Sequence, residues 1–550
     1  MKPNLPETPL GQKAFAHTQR MVACRSVNGT SGETSFPEEL RAMLMGIDYF
    51  AARPDHIYEG DVPGTPHGRR NILALLKGNG SRTVVLTGHF DTVGVDDYGV
   101  LRDVATNPTV LAERIVAQLE DSGRSPEALQ DIRSGAFIPG RGMLDMKSGL
   151  GAGLAVLEAF AADPNFDGNL IYLASPDEEN QSAGMRAAGG LLNQVAQDHN
   201  LDYVLQINMD ALQDEGDVAR AQAVGTGCIG KHLVTALVVG QEAHACYPLD
   251  GLNALFLASS LVREMECHPA LAEGGHGDAS APPVALVQND LRTHYDITTP
   301  AKAWCAWNMI TRRRTAGDVL SQCTAICAKA LSEAVALHAA RVEKIGATPP
   351  DREIPIYTFK ELEERAATSA YYETQRETLV AQLREREDLP MPARARLLAE
   401  LAWDHAQLAG PAVVIGFGGL SYPAVPPLAS RGAQGLVASV ERATAKVSTA
   451  HGTPIGILDW LPIVTDMSFA GQNDAEGYHA AAHNNPLWGC GIEWDVDGFP
   501  RMPAINAGPW GRDYHRSLER ANFNYAFTVL PELLSELVHE SLRQDQTGSS

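Results

Sequence analysis

The first 224 residues alternate short apolar runs with longer stretches of helical period. "TVVLTGHF" (Thr83–Phe90), "NLIYLAS" (Asn169–Ser175) and "YVLQINMDA" (Tyr203–Ala211) are rich in Val, Ile and Leu and end in polar residues, which predicts buried strands. "GLGAGLAVLEAFAA" (Gly149–Ala162) and "AGMRAAGGLLNQVAQ" (Ala183–Gln197) predict helices. Strands alternating with helices imply an α/β domain of three layers, a mostly parallel sheet with helices on both faces. Ligands of such sheets gather beyond the carboxyl ends of the strands. His89, Asp177 to Glu179 and Asp210 all fall just past predicted strands.

From about Lys231 the pattern changes. "HLVTALVVG" is a strand, "GLNALFLASSLVREM" a helix, "PPVALVQNDL" and "AKAWCAWNMITRR" strands, and "AGDVLSQCTAICAKALSEAVALHAARV" a long helix. That β-α-β-β-α order needs one further strand to make a ferredoxin-like α+β sandwich. "PAVVIGFGG" (Pro411–Gly419) supplies it. Between them, residues 351–408 are rich in Glu and Arg and read as an inserted helical arm with a largely solvated surface. From about Ser430 helix–strand alternation returns. The expected organisation is one α/β domain, 1–224 and 430–550, interrupted by a second domain, 225–429.

Length and composition agree with two or three globular domains: 550 residues, 44% hydrophobic and 20% charged. Lys and Arg number 44 against 67 Asp and Glu, a net charge of −23. That excess disfavours non-specific binding to nucleic acid or to anionic membranes. No stretch approaches about 20 uninterrupted apolar residues, and "MKPNLPETPLGQKAF" lacks the apolar core of a signal peptide. The eight cysteines form no CxxC pair. Cys323 and Cys327 share a helical face and read as small buried residues rather than zinc ligands. A reducing, cytoplasmic setting is expected.

Several polar pieces stand out from this background. "GHFD" ends a strand with His89 and Asp91. "GRGMLDMKSG" sets Asp145 between a glycine turn and a helix start. "SPDEEN" groups Asp177, Glu178 and Glu179, "NMDA" ends a strand at Asp210, and "GPWGRDYHRSLE" offers His515 and Glu519. Alone, each reads more readily as a turn, a cap or a solvated patch than as a site. Together, two imidazoles and several carboxylates match the nitrogen and oxygen ligands of zinc, cobalt or manganese. One carboxylate can bridge two ions about 3.5–4 Å apart, as two-metal hydrolases require. A further carboxylate outside the ligand set is then needed to move protons.

In order, "TGHFDTV", "GRGMLDMKSG", "SPDEE", "MDA", "EAHACYPLDGLNA", "TDMSF" and "GPWGRDYHRSLE" resemble the di-zinc metallopeptidase family over nearly the whole chain. That family includes aminoacylase, carboxypeptidases, succinyl-diaminopimelate desuccinylase and di- and tripeptidases. "GHFDTVGVDDYG" and the closing motif look most like its arginine-utilisation branch.

The resemblance implies two divalent metal ions, zinc first, with cobalt or manganese as alternatives. Asp145 would bridge them, His89 and Asp210 would complete one site, and Glu179 and His515 the other. Glu178 would be the general base and Asp91 would orient His89. The peptide after Asp145 is implied to be cis. His244 would be the lid histidine that reaches a partner subunit's site and stabilises the oxyanion, so the second domain would be a lid and dimerisation domain of a homodimer. From "NMITRRRTAG", which offers Arg312, Arg313 and Arg314, Arg314 is chosen to grip a substrate carboxylate, a solvated basic turn being the other reading. Asn253 would support the helix that follows or the substrate.

The His89–Asp145 gap is longer than is usual in the family, which marks an insertion of roughly residues 93–123. The implied reaction is hydrolysis of an amide or peptide bond in a small acyl-amino acid, amidated amino acid or short peptide. Two further readings stay open: a non-catalytic amino-acid binder on the same fold, and acyl transfer at the same site with water excluded by a lid.

Overall fold

Val84, Val85 and Leu86 are wholly buried because their strand, Asn79–His89, lies inside an eight-stranded sheet. The protein is seen here as a computed structural model that describes residues 5–64, 68–214, 216–274, 280–349, 351–386, 388–471 and 475–543. It divides into two compact units. The first comprises Met1–Cys228, Val425–Asn473 and Trp494–Ser550, and the second Ile229–Ala424 and Asp474–Glu493.

In the first unit the strands run in the order Ile57–Asp61, Arg70–Lys77, Asp167–Ser175, Asn79–His89, Asp202–Asn208, Ala504–Asn506, Ala223–Gly225, Gly456–Leu458. The four from Asp167–Ser175 to Ala504–Asn506 are mutually parallel. Strand side chains alternate between faces. Val84, Leu86, Leu170 and Tyr172 join a core with Ala14, Leu150 and Leu534, from the helices Pro9–Ala23, Ser148–Ala161 and Leu530–Leu542. The helix Ala183–His199 packs on the opposite face, against the first three strands. The register brings the ligand-bearing ends level, since His89 pairs with Ser175 and Thr87 with Asn208.

A second sheet, not anticipated from the sequence, has four short strands in the order Phe137–Pro139, Arg520–Asn522, Trp510–Arg512, Leu212–Gln213. Its central hairpin carries His515, and its outer strands flank Asp145 and Asp210. Between His89 and Asp145 the chain forms the 3-10 segment Asp96–Val104 and the helices Pro108–Ser122 and Pro126–Ser134, which enclose a small core of their own.

The second unit has a five-stranded sheet in the order Val284–Asp290, Lys302–Thr311, Gly230–Val239, Ala412–Phe417, Ile356–Thr358. The first four are antiparallel neighbours and, with the helices Ala254–Met265 and Ala316–Lys344, make the ferredoxin-like order. By length and composition alone, Ala316–Lys344 is apolar enough to cross a membrane. Here it lays Val319, Cys323, Cys327 and Leu331 into the unit's core, and burial pushes both thiols up.

The arm consists of three helices, Phe359–Ala366, Tyr372–Arg384 and Met391–His405, and most of its described residues are exposed or half-buried. Phe359, Leu362, Leu398 and Trp403 are buried within it. The sequence pattern assigned the whole carboxy-terminal block to the first unit, but the helix Ala475–His483 packs against Ala316–Lys344 in the second. The Asn485 side chain donates to the Gly419 carbonyl, and the Phe417 N–H donates to the Asn484 carbonyl.

Candidate metal centre

At the end of its strand the His89 ring is held by Asp91. Its Nδ1 lies 3.1 Å from the Asp91 carbonyl and 3.5 Å from Asp91 Oδ1, which turns Nε2 towards the other acids. That nitrogen is 3.1 Å from Asp145 Oδ1 and 3.8 Å from Asp210 Oδ1. His515 reaches the second oxygen of the same carboxylate: its Nε2 is 3.0 Å from Asp145 Oδ2 and 3.1 Å from Glu179 Oε2. Asp145 therefore stands between two imidazoles, each with one further carboxylate. Glu178 Oε2 lies 3.9 Å from His89 Nε2, beside this arrangement. The Asp145–Met146 peptide is cis.

A layer of buried polar groups holds these side chains. Asp91 accepts the backbone N–H of Glu178 at 3.1 Å, that of Glu179 at 3.2 Å, and the Asn28 amide at 2.9 Å. Behind it Arg69, itself buried, bonds Glu33 at 2.9 Å, Asp177 at 3.0 Å and the Asn28 carbonyl oxygen at 3.3 Å. On the other side Glu519 accepts the backbone N–H groups of Leu144 and Asp145 at 3.2 and 3.4 Å, and pairs with buried Arg141 at 2.6 Å. Asp466, in the "TDMSF" stretch, accepts from Ser175 Oγ at 2.9 Å.

Burial opposes charge on every acid here, and the balance differs by position. It raises Glu178 well above the usual carboxylate range, with Asp210, Asp466 and Glu179 adding to it. Glu179 and Asp210 also lie high, and Asp466 is pushed up to about 7. Asp145 goes the other way, because hydrogen bonds from His515 and His89 outweigh its burial. Burial alone would lower both histidines, but the acids around them prevail. His89 sits well above its ordinary value and His515 at about 10.

This crowd of carboxylates fits a pair of divalent cations. One ligand atom each from His89, Asp145 and Glu179 lies within 4.8 Å of the others. The set is all nitrogen and oxygen, which suits zinc, cobalt or manganese. His89, Asp145 and Asp210 would hold one ion, and His515, Asp145 and Glu179 the other.

Three residues singled out from the sequence belong to the second unit. His244 is exposed and its Nδ1 accepts the Cys246 N–H at 3.1 Å. Asn253 caps the helix Ala254–Met265 by accepting the Leu255 N–H at 2.9 Å. The Arg314 guanidinium donates to the carbonyls of Leu271 and Ala270, at 2.7 and 2.6 Å. Sequence reading gave no role to Asn28, Glu33, Arg69, Arg141 or Asp466. Arg141 and Asp466 sit inside quoted motifs, and an acid flanked by buried residues, as in "TDMSF", was the available signal.

The sheet with its inserted ferredoxin-like unit, and the acid set between two imidazoles, belong together in one class, the metallopeptidases of this two-part plan. The chain belongs to peptidase family M20/M25/M40, which it matches over residues 85–480. Over 537 residues it is 29% identical to the uncharacterized protein YqjN of Bacillus subtilis, covering 96% of each chain. Over 542 residues it is 28% identical to protein RocB of Bacillus subtilis, covering 96% of this chain and 94% of the relative. Among solved structures it resembles a tripeptidase from Staphylococcus aureus, with a TM-score of 0.51 at 14% identity over 97% of this chain and 99% of that one. An M20 family metallo-carboxypeptidase from Sulfolobus solfataricus gives 0.51 at 10% identity over 96% and 99%. At such identities the structural likeness is one of fold.

Proposed function

We propose that this family member hydrolyses the amide bond of a small N-acyl or amidated amino acid or the peptide bond of a short peptide, with Glu178 as general base. Two divalent ions, zinc first, when bound would polarise the scissile carbonyl and make water acidic near neutral pH. The chain's own part is positioning and proton transfer. Asp91 fixes the His89 ring and the Glu178–Glu179 turn. Glu178 takes a proton from the attacking water and hands it to the leaving amine. His244, from the second unit of a partner chain in a cytoplasmic homodimer, would stabilise the oxyanion.

The observation that carries this reading is the placement of Glu178. It shares a turn with Glu179, which pairs with His515, yet its own carboxylate stands outside the Asp145 bridge at 3.9 Å from His89. The resemblance to the arginine-utilisation branch, and the full-length likeness to RocB, favour arginine-related amides as first substrates. The test is a zinc-replete screen of dipeptides, N-acyl amino acids and arginine amides, with products identified by mass. Release of free amine with incorporation of one water supports hydrolysis. Acyl transfer products, or no turnover by a chain holding two metals, count against it.

A further inference from the structure

The segment 95–134, between His89 and Asp145, supplies none of the candidate metal-ligating atoms described above. It is nevertheless a small folded body, with Tyr98, Leu101, Leu111, Ile115 and Ile132 forming its own core. Leu518, three residues beyond His515, packs against that core. Two acids of the segment reach out of it towards the ligand loops. Asp97 binds the Arg141 guanidinium at 2.9 and 3.0 Å, and Arg141 passes to Glu519, which holds the backbone N–H groups of Leu144 and Asp145. Arg141 also lies 5.2 Å above the Tyr98 ring and donates to the Gly94 carbonyl.

On the other side Asp131, in the helix Pro126–Ser134, accepts from Arg520 at 2.8 Å and from Arg512 at 2.9 Å. These arginines pair with one another at the base of the hairpin loop that carries His515. Arg520 is 1% exposed and continues to Asp513 at 2.5 Å and to the Leu518 carbonyl at 3.1 Å. His515 and Asp513 both hold positive φ, 61° and 56°, in a tight loop. Groups behind metal ligands orient them, and their loss typically costs about 10–100-fold in metal affinity.

We infer that the segment 95–134 is a clamp that sets the positions of Asp145 and His515, with Asp97 and Asp131 as positioning residues for the two ions. The inference rests on the di-metal reading above and deepens it. It assigns to the segment the alignment of two ligands that lie 370 positions apart in the chain.

The test loads the full chain with Zn²⁺ and follows its release to a chelating dye, together with metal content and the melting temperature of the metal-free chain. Asp131→Asn and Asp97→Asn keep side-chain size and remove the charge. Both should release zinc about 10–100-fold faster than the parent, with one of the two ions leaving first. Asp131→Glu should restore retention, and Glu120→Gln, which breaks the exposed Arg133–Glu120 pair on the same segment, should leave it unchanged. A lower melting temperature with parental zinc retention would overturn the proposal, because the segment would then only stabilise the fold. If Asp131→Asn fails to fold, Asp97→Asn decides, since Asp97 is more exposed than Asp131 and acts on Asp145. A parent that takes up no zinc overturns the di-metal reading and the clamp together. A parent holding two zinc ions, with variants that hold them as firmly, overturns the clamp alone.

Discussion

The Glu178 backbone N–H donates to Asp91 Oδ1 at 3.1 Å, so the residue that orients His89 also holds the turn presenting the candidate base. The base and the first metal ligand, His89, are thereby fixed to one another through Asp91, 87 positions from Glu178. Glu178→Gln keeps the shape of that turn and removes the proton acceptor. The expected result is a kcat about 10²–10⁴-fold lower, with KM little changed and both metals retained. Steady-state kinetics with elemental analysis of the same sample checks it. Parental turnover in a metal-loaded variant would remove Glu178 from the mechanism.

Gly508 lies against the far side of Asp210. A Cβ there would meet the Asp210 carbonyl oxygen at 2.0 Å and the Met209 oxygen at 2.6 Å. Both contacts are backbone, so relief requires moving the strand end that carries Asp210. Gly508→Ala should cost about 1–3 kcal/mol of stability and weaken the His89–Asp145–Asp210 ion more than the other. Urea titration and zinc stoichiometry measure the two effects. Unaltered zinc binding in a destabilised variant would show that the strand end absorbs the clash without moving its acid.

Proton release on metal uptake follows from the ligand electrostatics. Without metal, His515 is held up to about 10, because Asp145 and Glu179 outweigh its burial. Its folded value lies above the unfolded one of about 6.5. The stability it contributes is therefore complete below about 6.5 and lost as pH rises through about 10. Burial also raises Glu178 and Asp210, so the folded metal-free chain keeps protons that the unfolded chain has released. The metal-free protein should lose stability as pH rises above the usual carboxylate range. Zinc needs neutral histidine and ionised acids, so its affinity should climb over the same interval. At pH 7 its uptake should release protons, that of His515 among them. Calorimetry in buffers of different ionisation enthalpy counts them, and a buffer-independent enthalpy would contradict this account.

Much of the fold was legible because its signals are local. The His89 and Asp177 strands announce themselves as apolar runs ending in acids or imidazole, and register then brings their ends level. The ferredoxin-like unit was readable from element order alone. The four-stranded sheet was not, since Leu212–Gln213 and Phe137–Pro139 are two and three residues long and carry no periodicity. They form only because the His515 hairpin supplies partners from about 300 or more positions away. The helix Ala475–His483 went to the wrong unit for the same reason, as its partners Ala316–Lys344 and Gly419 are remote in sequence. The candidate ligands could be named from motifs, whereas the buried arginines behind them could not. An arginine in a sequence looks the same whether it faces water or two buried acids.

Arg69 is the sharpest example, and its removal gives a stability prediction that does not depend on metal. Its side chain is buried between Glu33 and Asp177, at 2.9 and 3.0 Å, and both acids are buried as well. Burial already pushes Glu33 up to about 7, with Asp91 adding to it while Arg69 pulls it back down. Arg69→Met would leave two buried carboxyls facing each other with their cation gone. Breaking a buried pair in this way costs about 3–5 kcal/mol. The remaining acids are then stable only when protonated, so the deficit should shrink as pH falls through about 7, the value of Glu33 beside Arg69, and grow towards pH 8. Adding Glu33→Gln removes one stranded charge and should recover part of the loss at neutral pH. Urea denaturation of the single and double variants at pH 5 and pH 8 measures this, and an equal deficit at both pH values would show that Arg69 acts through packing rather than charge.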